Sequence, residues 1–251
     1  MAASRPRPLA GAALAVSFLT VLPVRLREPI PPLAAAAPWF PVVGALVGAL
    51  AGAVRLVAEP AFGPTVASIL ALVVLVAVTG ALHLDGLADC ADGLGVRGDR
   101  ARRLTVMREP TVGVFGTLAI VGWALLMVGA LGGLTDGEAF RALLTAAVVG
   151  RWAALLHTAA TPPARPDGLG AAFAVMTAGL LVASALAVAG ALLVDGLGPG
   201  AAALAAAPVV ALGVSAWARR RLGGRTGDTI GATVALTEVV VVLVLLGFAQ
   251  A

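Results

Sequence analysis

Asp85, Asp89 and Asp92 recur at spacings of four and seven within HLDGLADCADGLGVRGDRARRLTVMREP, the run from His83 to Pro110. On a helix turning about 100° per residue, Asp89 falls about 40° and Asp92 about 20° from Asp85, so the three carboxylates share one stripe. Packed carboxylates repel one another and are costly at a membrane surface unless a cation lies between them. Magnesium, which takes oxygen ligands, is the natural cation. The spacing therefore predicts divalent-metal chemistry on a helix. Gly86 and Gly93, also seven apart, form a small-residue stripe beside the acids that lets a substrate or another helix come close. Arg97, Arg100, Arg102, Arg103 and Arg108 divide between anchoring the loop and binding anions, with one or two expected on a phosphate. His83, just ahead of the stripe, is expected to cap the helix or to bind substrate, and His157, near a span end, to be structural.

A second charged motif, LGGRTGDTIGATVALTE, runs from Leu222 to Glu238. Gly224, Gly227 and Gly231 clear side chains from around Asp228, so that a phosphate or a neighbouring helix can approach the backbone. An aspartate opening a helix is often only a cap. What argues for more here is depth: the topology below puts Asp228 at the same membrane face as the first three aspartates.

The elements that must position these groups are membrane helices. Hydrophobic residues make up 60% of the chain and charged ones 12%, with a mean hydropathy of +1.02, whereas charged residues approach about a quarter of a soluble domain. Apolar stretches of about 20 residues, each long enough to cross a bilayer, lie at roughly 38–58, 63–84, 112–133, 139–158, 171–194, 200–218 and 229–249. The chain therefore reads as an all-α polytopic helical bundle, one membrane domain over 1–251 with about seven spans. Its site loops fall at about 85–111 and 219–228. Gly44, Gly48 and Gly52, at four-residue intervals, suit close helix packing in lipid. The single cysteine, Cys90, forms no internal disulfide and reads as a small half-buried residue.

All 17 basic residues are arginine, and they crowd into the two site loops, whereas the connections near Glu59, Asp136, Glu138 and Asp195 are short and acidic. Arginine-rich short loops stay in the cytoplasm. Both site loops, with Arg25, Arg27 and the loop holding Arg165, are thus expected on the cytoplasmic side of the cell membrane, and the C-terminus outside. An even number of spans separates the two loops, so the assignment closes. The first apolar piece, Leu9 to Pro23, is expected to lie in the interface as a short helix rather than to span. Nothing in it marks a cleaved signal peptide.

Taken together, HLDGLADCADG, the R-x-L-x-V-M-R run leading to Gly113 and Gly116, the arginine of VVGRWAALL, ARPDGLG and LGGRTGDTIGA resemble the cobalamin synthase family, the adenosylcobinamide-GDP ribazoletransferases. SFLTVLPV and WFPVVGALVGAL extend the resemblance over essentially the whole chain. It implies a magnesium-dependent transfer in which α-ribazole or its 5′-phosphate attacks the diphosphate of adenosylcobinamide-GDP through a ribose hydroxyl. The products are adenosylcobalamin or its phosphate, and GMP. It also implies metal ligation and catalysis by Asp85, Asp89, Asp92 and Asp228, and substrate contacts from His83, Arg103, Arg108, Arg151 and Gly227. The implied partners are these small molecules and the bilayer, with a homo-oligomer and other corrinoid-pathway enzymes beyond them. Nucleic acid is not among them.

Two departures from the family pattern stand out. Glu109 and Pro110 replace an Asp-Ser-like pair, which ends the helix there. Ala235 occupies the position seven after Asp228 where a glutamate is usual; Glu238, within about 80° of Asp228 around the helix, is expected to supply the missing acidity. Two rival classes share features of the chain. A CDP-alcohol phosphotransferase also carries D-x-x-D-G helices, but Cys90 and Ala91 stand where that family has Ala-Arg. A cation-coupled transporter places its acids near the midplane rather than at span ends.

Overall fold

The computed structural model describes residues 8–251. It is built of helices in the order α1 (Pro8–Leu19), a 3-10 turn (Leu33–Trp39), α2 (Phe40–Val78), α3 (Leu82–Gly95), α4 (Arg100–Val106), α5 (Val114–Gly132), α6 (Asp136–Ala160), α7 (Leu169–Ala172), α8 (Thr177–Asp195), α9 (Leu197–Leu222) and α10 (Gly227–Ala249). Among the described residues, 6 of these elements are long and apolar enough to cross a membrane, the first being Leu33–Val78. The chain is a membrane-embedded helical bundle.

α2 is in fact a hairpin. Gly63 has φ 74° and ψ 169°, outside helical geometry, between Pro60 and Pro64. The Arg55 Nε–H donates to Ser68 Oγ at 3.0 Å, yet thirteen residues of unbroken helix would separate them by about 20 Å. Chain reversal at Gly63 is what joins them. The two arms, 40–62 and 64–78, match the first two expected spans except at one end. The second was expected to run to 84, but the helix stops at Val78 and the next residues include Gly80 (φ 60°) and Ala81 (φ 58°), both left-handed. Left-handed residues end a helix and redirect it. His83 and Leu84 consequently begin α3 instead of closing a span.

α6 is the hub. It is the most enclosed of the spans, with 72% of its apolar window buried against 17% for α8. The expected glycine stripe does its packing here: a Cβ at Gly48 would lie 2.6 Å from the Leu143 carbonyl oxygen, and one at Gly52 2.6 Å from the Phe140 ring. Gly44 faces Ala147 in the same way. The first arm of α2 thus meets α6 at backbone distance, where dispersion and shape replace the hydrophobic drive that lipid removes.

α1 is short, as expected. Its 12 residues span about 18 Å, too little for a bilayer core of about 30 Å, and Phe18 stacks on Phe40 at a centroid distance of 6.0 Å and lies tilted against Phe173 at 6.1 Å. At one end of the bundle lie the hairpin tip, the α5–α6 turn and the α8–α9 turn, tied by Arg55 to Asp136 at 3.5 Å and by Thr145 to Asp195 at 2.5 Å. The α3–α5 segment, the 161–176 loop and the 223–226 turn gather at the other end. Four spans, α5, α6, α8 and α9, separate the two arginine-rich loops, which is the even count expected.

Candidate active site

Two glycines bring the acidic motifs together. A Cβ at Gly86 of α3 would fall 2.6 Å from the Asp228 carbonyl oxygen, and one at Gly231 of α10 would fall 3.1 Å from that of Leu82. α3 and α10 therefore cross with backbones touching, and the start of α10 lies against the first turns of α3. The stripe expected to admit substrate or a helix admits a helix. Gly93 serves likewise, its side-chain space filled by Met107 (Sδ at 2.9 Å).

The four aspartates then divide into two roles. Asp85 is exposed, and Asp89 and Asp228 are half-buried. Burial, followed by the negative charges of Asp228, Asp85 and Asp92, raises Asp89 to about 7. Asp92 is committed elsewhere: its Oδ2 accepts from the Gly113 N–H at 2.7 Å and its Oδ1 from the Gly116 N–H at 2.9 Å. It thereby caps α5 from a neighbouring helix, satisfying N–H groups that no α5 residue reaches. Among the described residues, no three His, Cys, Asp or Glu side chains are drawn into a closed metal-binding cluster. The donor set nevertheless suits a hard cation. Its oxygens are carboxylate, and Asp89 stands close enough to Asp228, Asp85 and Asp92 to feel their charge.

The arginines sort differently from the sequence expectation. Arg103 does not reach for phosphate: its Nη1 donates to the carbonyls of Gly93 and Leu94 at 2.6 and 3.1 Å, closing the C-terminus of α3, with the residue 8% exposed. Arg151 is 0% exposed and forms an ion pair with Glu238 inside the bundle. A group so enclosed is held by its interior partner, not by surface phosphate. That pair also corrects the reading of Glu238, which lies ten residues, about 15 Å of helix, beyond Asp228 and neutralises Arg151 instead of joining the acids. Ala235, also buried, offers only its carbonyl, to Trp123 Nε1 at 3.2 Å. Arg108 does stand at the site. It is half-exposed, pairs with Asp167 at 2.9 Å, and with Arg165 it is a cation whose charge reaches Asp228. The same partner, first through its hydrogen bond, holds the Asp167 carboxyl below its usual range.

Arg165 arrives through a clasp that the sequence reading missed. The Arg225 N–H donates to the Pro162 carbonyl and the Ala164 N–H to the Arg225 carbonyl, each at 2.8 Å. The Arg225 guanidinium donates to the carbonyl of Phe173 at 2.9 Å and to that of Thr161. The 161–168 segment is thereby strapped across the start of α10, with the Arg165 charge reaching Asp228 and Asp167 paired to Arg108. Arg225 stands three residues from Asp228 in R-T-G-D, and only that proximity hinted at its role. His157 is structural, as expected: Nδ1 meets Ser215 Oγ at 2.8 Å and Nε2 meets Thr229 Oγ1 at 2.9 Å, linking α6, α9 and α10. His83 is buried with Nδ1 3.5 Å from Arg151 Nη2, and burial followed by the nearby Arg151 charge drives its pKa well down. His83, Arg151 and Gly227, expected as substrate contacts, line one interior pocket together.

The comparisons with known proteins fit this arrangement. The profile described as Cobalamin-5-phosphate synthase matches residues 11–246. A Bradyrhizobium diazoefficiens protein named adenosylcobinamide-GDP ribazoletransferase is 39% identical over 94% of this chain and 92% of its own length. Proteins of the same name from Frankia casuarinae, 42% identical over 92% of each chain, and Stutzerimonas stutzeri, 40% identical over 92% of this chain and 95% of its own, agree. No solved structure matches. A profile covering nearly the whole chain, and relatives aligned almost end to end, place both acidic motifs inside the match: this chain belongs to the cobalamin-5-phosphate synthase family.

Proposed function

We propose that the protein is an adenosylcobinamide-GDP ribazoletransferase. It joins adenosylcobinamide-GDP to α-ribazole or its 5′-phosphate with release of GMP, the nucleotide-loop step of cobalamin assembly. The observation that carries this reading is the meeting of Asp228 with the α3 aspartates, flanked by Arg108 and Arg165, at one end of a membrane bundle of this family.

Asp85, Asp89 and Asp228, with Asp92 beside them, would hold Mg²⁺. When bound, it neutralises charge on the diphosphate and on the leaving GMP. Arg108 and Arg165 grip diphosphate oxygens from the opposite side, and Asp167 holds Arg108 in place for that contact. Asp89, half-buried between Asp85 and Asp228, is the acid proposed to take the proton of the attacking ribose hydroxyl. The Arg225 clasp keeps the 161–168 segment over the site, limiting water around the diphosphate. Both loops face the cytoplasm of a cell membrane, where their arginines belong by the positive-inside rule.

Purified protein in liposomes with adenosylcobinamide-GDP, α-ribazole 5′-phosphate and Mg²⁺ is expected to release GMP and form adenosylcobalamin phosphate. CMP released from CDP-diacylglycerol instead, or cation flux with no nucleotide turnover, would replace this reading.

A further inference from the structure

The end of the bundle opposite the aspartates holds a cavity of about 140 Å³, about ten times the space that admits one water. It lies where α6 and α9 begin and α8 and α10 end, and Glu138, Arg141 and Asp195 line it together with Leu134, Leu245 and Phe248. Each carboxylate is held by one oxygen. Glu138 Oε2 accepts from the Thr135 N–H at 2.9 Å and from its hydroxyl at 2.6 Å, and Asp195 Oδ2 accepts from the Thr145 hydroxyl at 2.5 Å. The other oxygen of each acid has no hydrogen-bond partner among the described residues. Arg141 is exposed, and its charge reaches both acids, yet it forms no ion pair among the described residues.

Charge decides what such a cavity accepts. A lone phosphate would meet Arg141 but also two carboxylates, and a lone cation would meet the carboxylates but also Arg141. A ligand with an ammonium and a phosphate a few bonds apart satisfies both signs at once. Its phosphate takes guanidinium N–H donors, and its ammonium donates to the two uncommitted carboxylate oxygens.

Location decides where that ligand comes from. The lining residues stand at the ends of spans, the depth of the headgroup layer in a bilayer. Leu193 and Leu197, two residues to either side of Asp195, are 85% and 80% exposed, and Phe248 is 47% exposed. The Phe248 ring stands beside the start of α9, 3.9 Å from where a Cβ of Gly198 would lie. This apolar surround suits acyl chains rather than a dissolved zwitterion. We infer that the cavity binds the headgroup of an aminoethyl phospholipid, phosphatidylethanolamine, at the membrane face opposite the candidate active site. The bound headgroup bridges the start of the hub helix α6 to the end of α8.

The test titrates delipidated full-length protein in detergent with phosphatidylethanolamine, phosphatidylglycerol or phosphatidylcholine and reads bound lipid by native mass spectrometry. Phosphatidylglycerol lacks the ammonium, and the methyl groups of phosphatidylcholine leave it no N–H to donate. Wild type is expected to bind phosphatidylethanolamine about tenfold more tightly than either, the worth of one charge-assisted hydrogen bond. Arg141→Ala should weaken that binding about tenfold, and Glu138→Gln combined with Asp195→Asn should erase the preference among the three lipids. Both amides keep an acceptor for Thr135 and Thr145, so the helix ends stay capped and tied. Should a variant fail to fold, the wild-type comparison among lipids decides by itself. Equal binding of the three lipids by wild type, or unchanged binding in folded Arg141→Ala, overturns the inference. Displacement of the lipid by an equal concentration of soluble phosphoethanolamine overturns the lipid as its source.

Discussion

At the scale of single residues, four aspartates of one motif type have unlike duties. Asp85→Asn, Asp89→Asn and Asp228→Asn are each expected to cost about 100-fold or more in GMP release, as removal of a preorganised electrostatic partner does. Thermal unfolding of Asp85→Asn and Asp228→Asn should be little changed. Asp92→Asn should lower the unfolding temperature as well as activity, because it strips an acceptor from the capped N–H groups of α5, a loss of about 1 kcal/mol. The raised pKa of Asp89 sets a pH dependence with a definite sign. Unfolded, that carboxyl ionises near 4; folded and metal-free, it keeps its proton to about 7. Between those values the folded state binds the extra proton, so stability without divalent metal falls as pH rises. Added Mg²⁺ should restore stability above that window and bind less well below it, where protons compete. Asp89→Asn should flatten both effects in a thermal-shift series. Glu238→Gln behaves differently again: its magnesium profile should match wild type, while the unpaired Arg151 left in the interior costs about 3–5 kcal/mol of stability, read by thermal unfolding in detergent.

At the scale of elements, the site exists because α3 and α10 cross without side chains between them. Gly86→Ala introduces a Cβ 2.6 Å from one Asp228 backbone atom and 3.1 Å from another, so α10 must shift. That displaces Asp228 from its neighbours, and a misplacement of about 1 Å commonly costs about 100-fold in rate. Gly122→Ala on α5, with nothing within 4 Å of its new Cβ, is the control and should retain wild-type activity. Equal loss in both, with normal membrane insertion, would show that glycine flexibility matters and the crossing does not. Ala81 marks the other element-level device. Its left-handed backbone, with that of Gly80, ends the second arm of α2 early and turns α3 toward α10, carrying the acidic stripe to the site.

At the scale of the molecule, the bundle has two unlike ends. One carries the four aspartates, the two arginine-rich loops and the clasp; the other carries the hairpin tip and the short acidic turns. In a Cys90→Ala background, Arg97→Cys and Arg220→Cys should resist an impermeant thiol reagent in intact cells, whereas Gly137→Cys and Gln250→Cys should react. Reaction at Arg97→Cys from outside would invert the orientation. Arg55 at the far end, buried yet paired with Glu59 and Asp136, locks the α2 hairpin to α6, so the two ends are held at a set spacing by the same hub helix.

Hydropathy and arginine placement were enough to read a membrane bundle, its nearly correct spans and the two-sidedness of its loops. Each depends on patterns along one chain: twenty-residue apolar runs, helical periodicity and local charge. The glycine stripe on α2 was legible for the same reason, since four-residue spacing fixes a helix face before any partner is known. What the chain could not disclose was pairing between distant segments. The sequence placed Glu238 on nearly the same face of α10 as Asp228, but a helix face says nothing of which neighbour occupies it, and only packing against α6 sets Arg151 there. Arg103 and Asp92 likewise read as free charges until the ends of α3 and α5 claimed them. A buried charge or an open helix end must find a partner, and which partner it finds is decided only when the helices assemble.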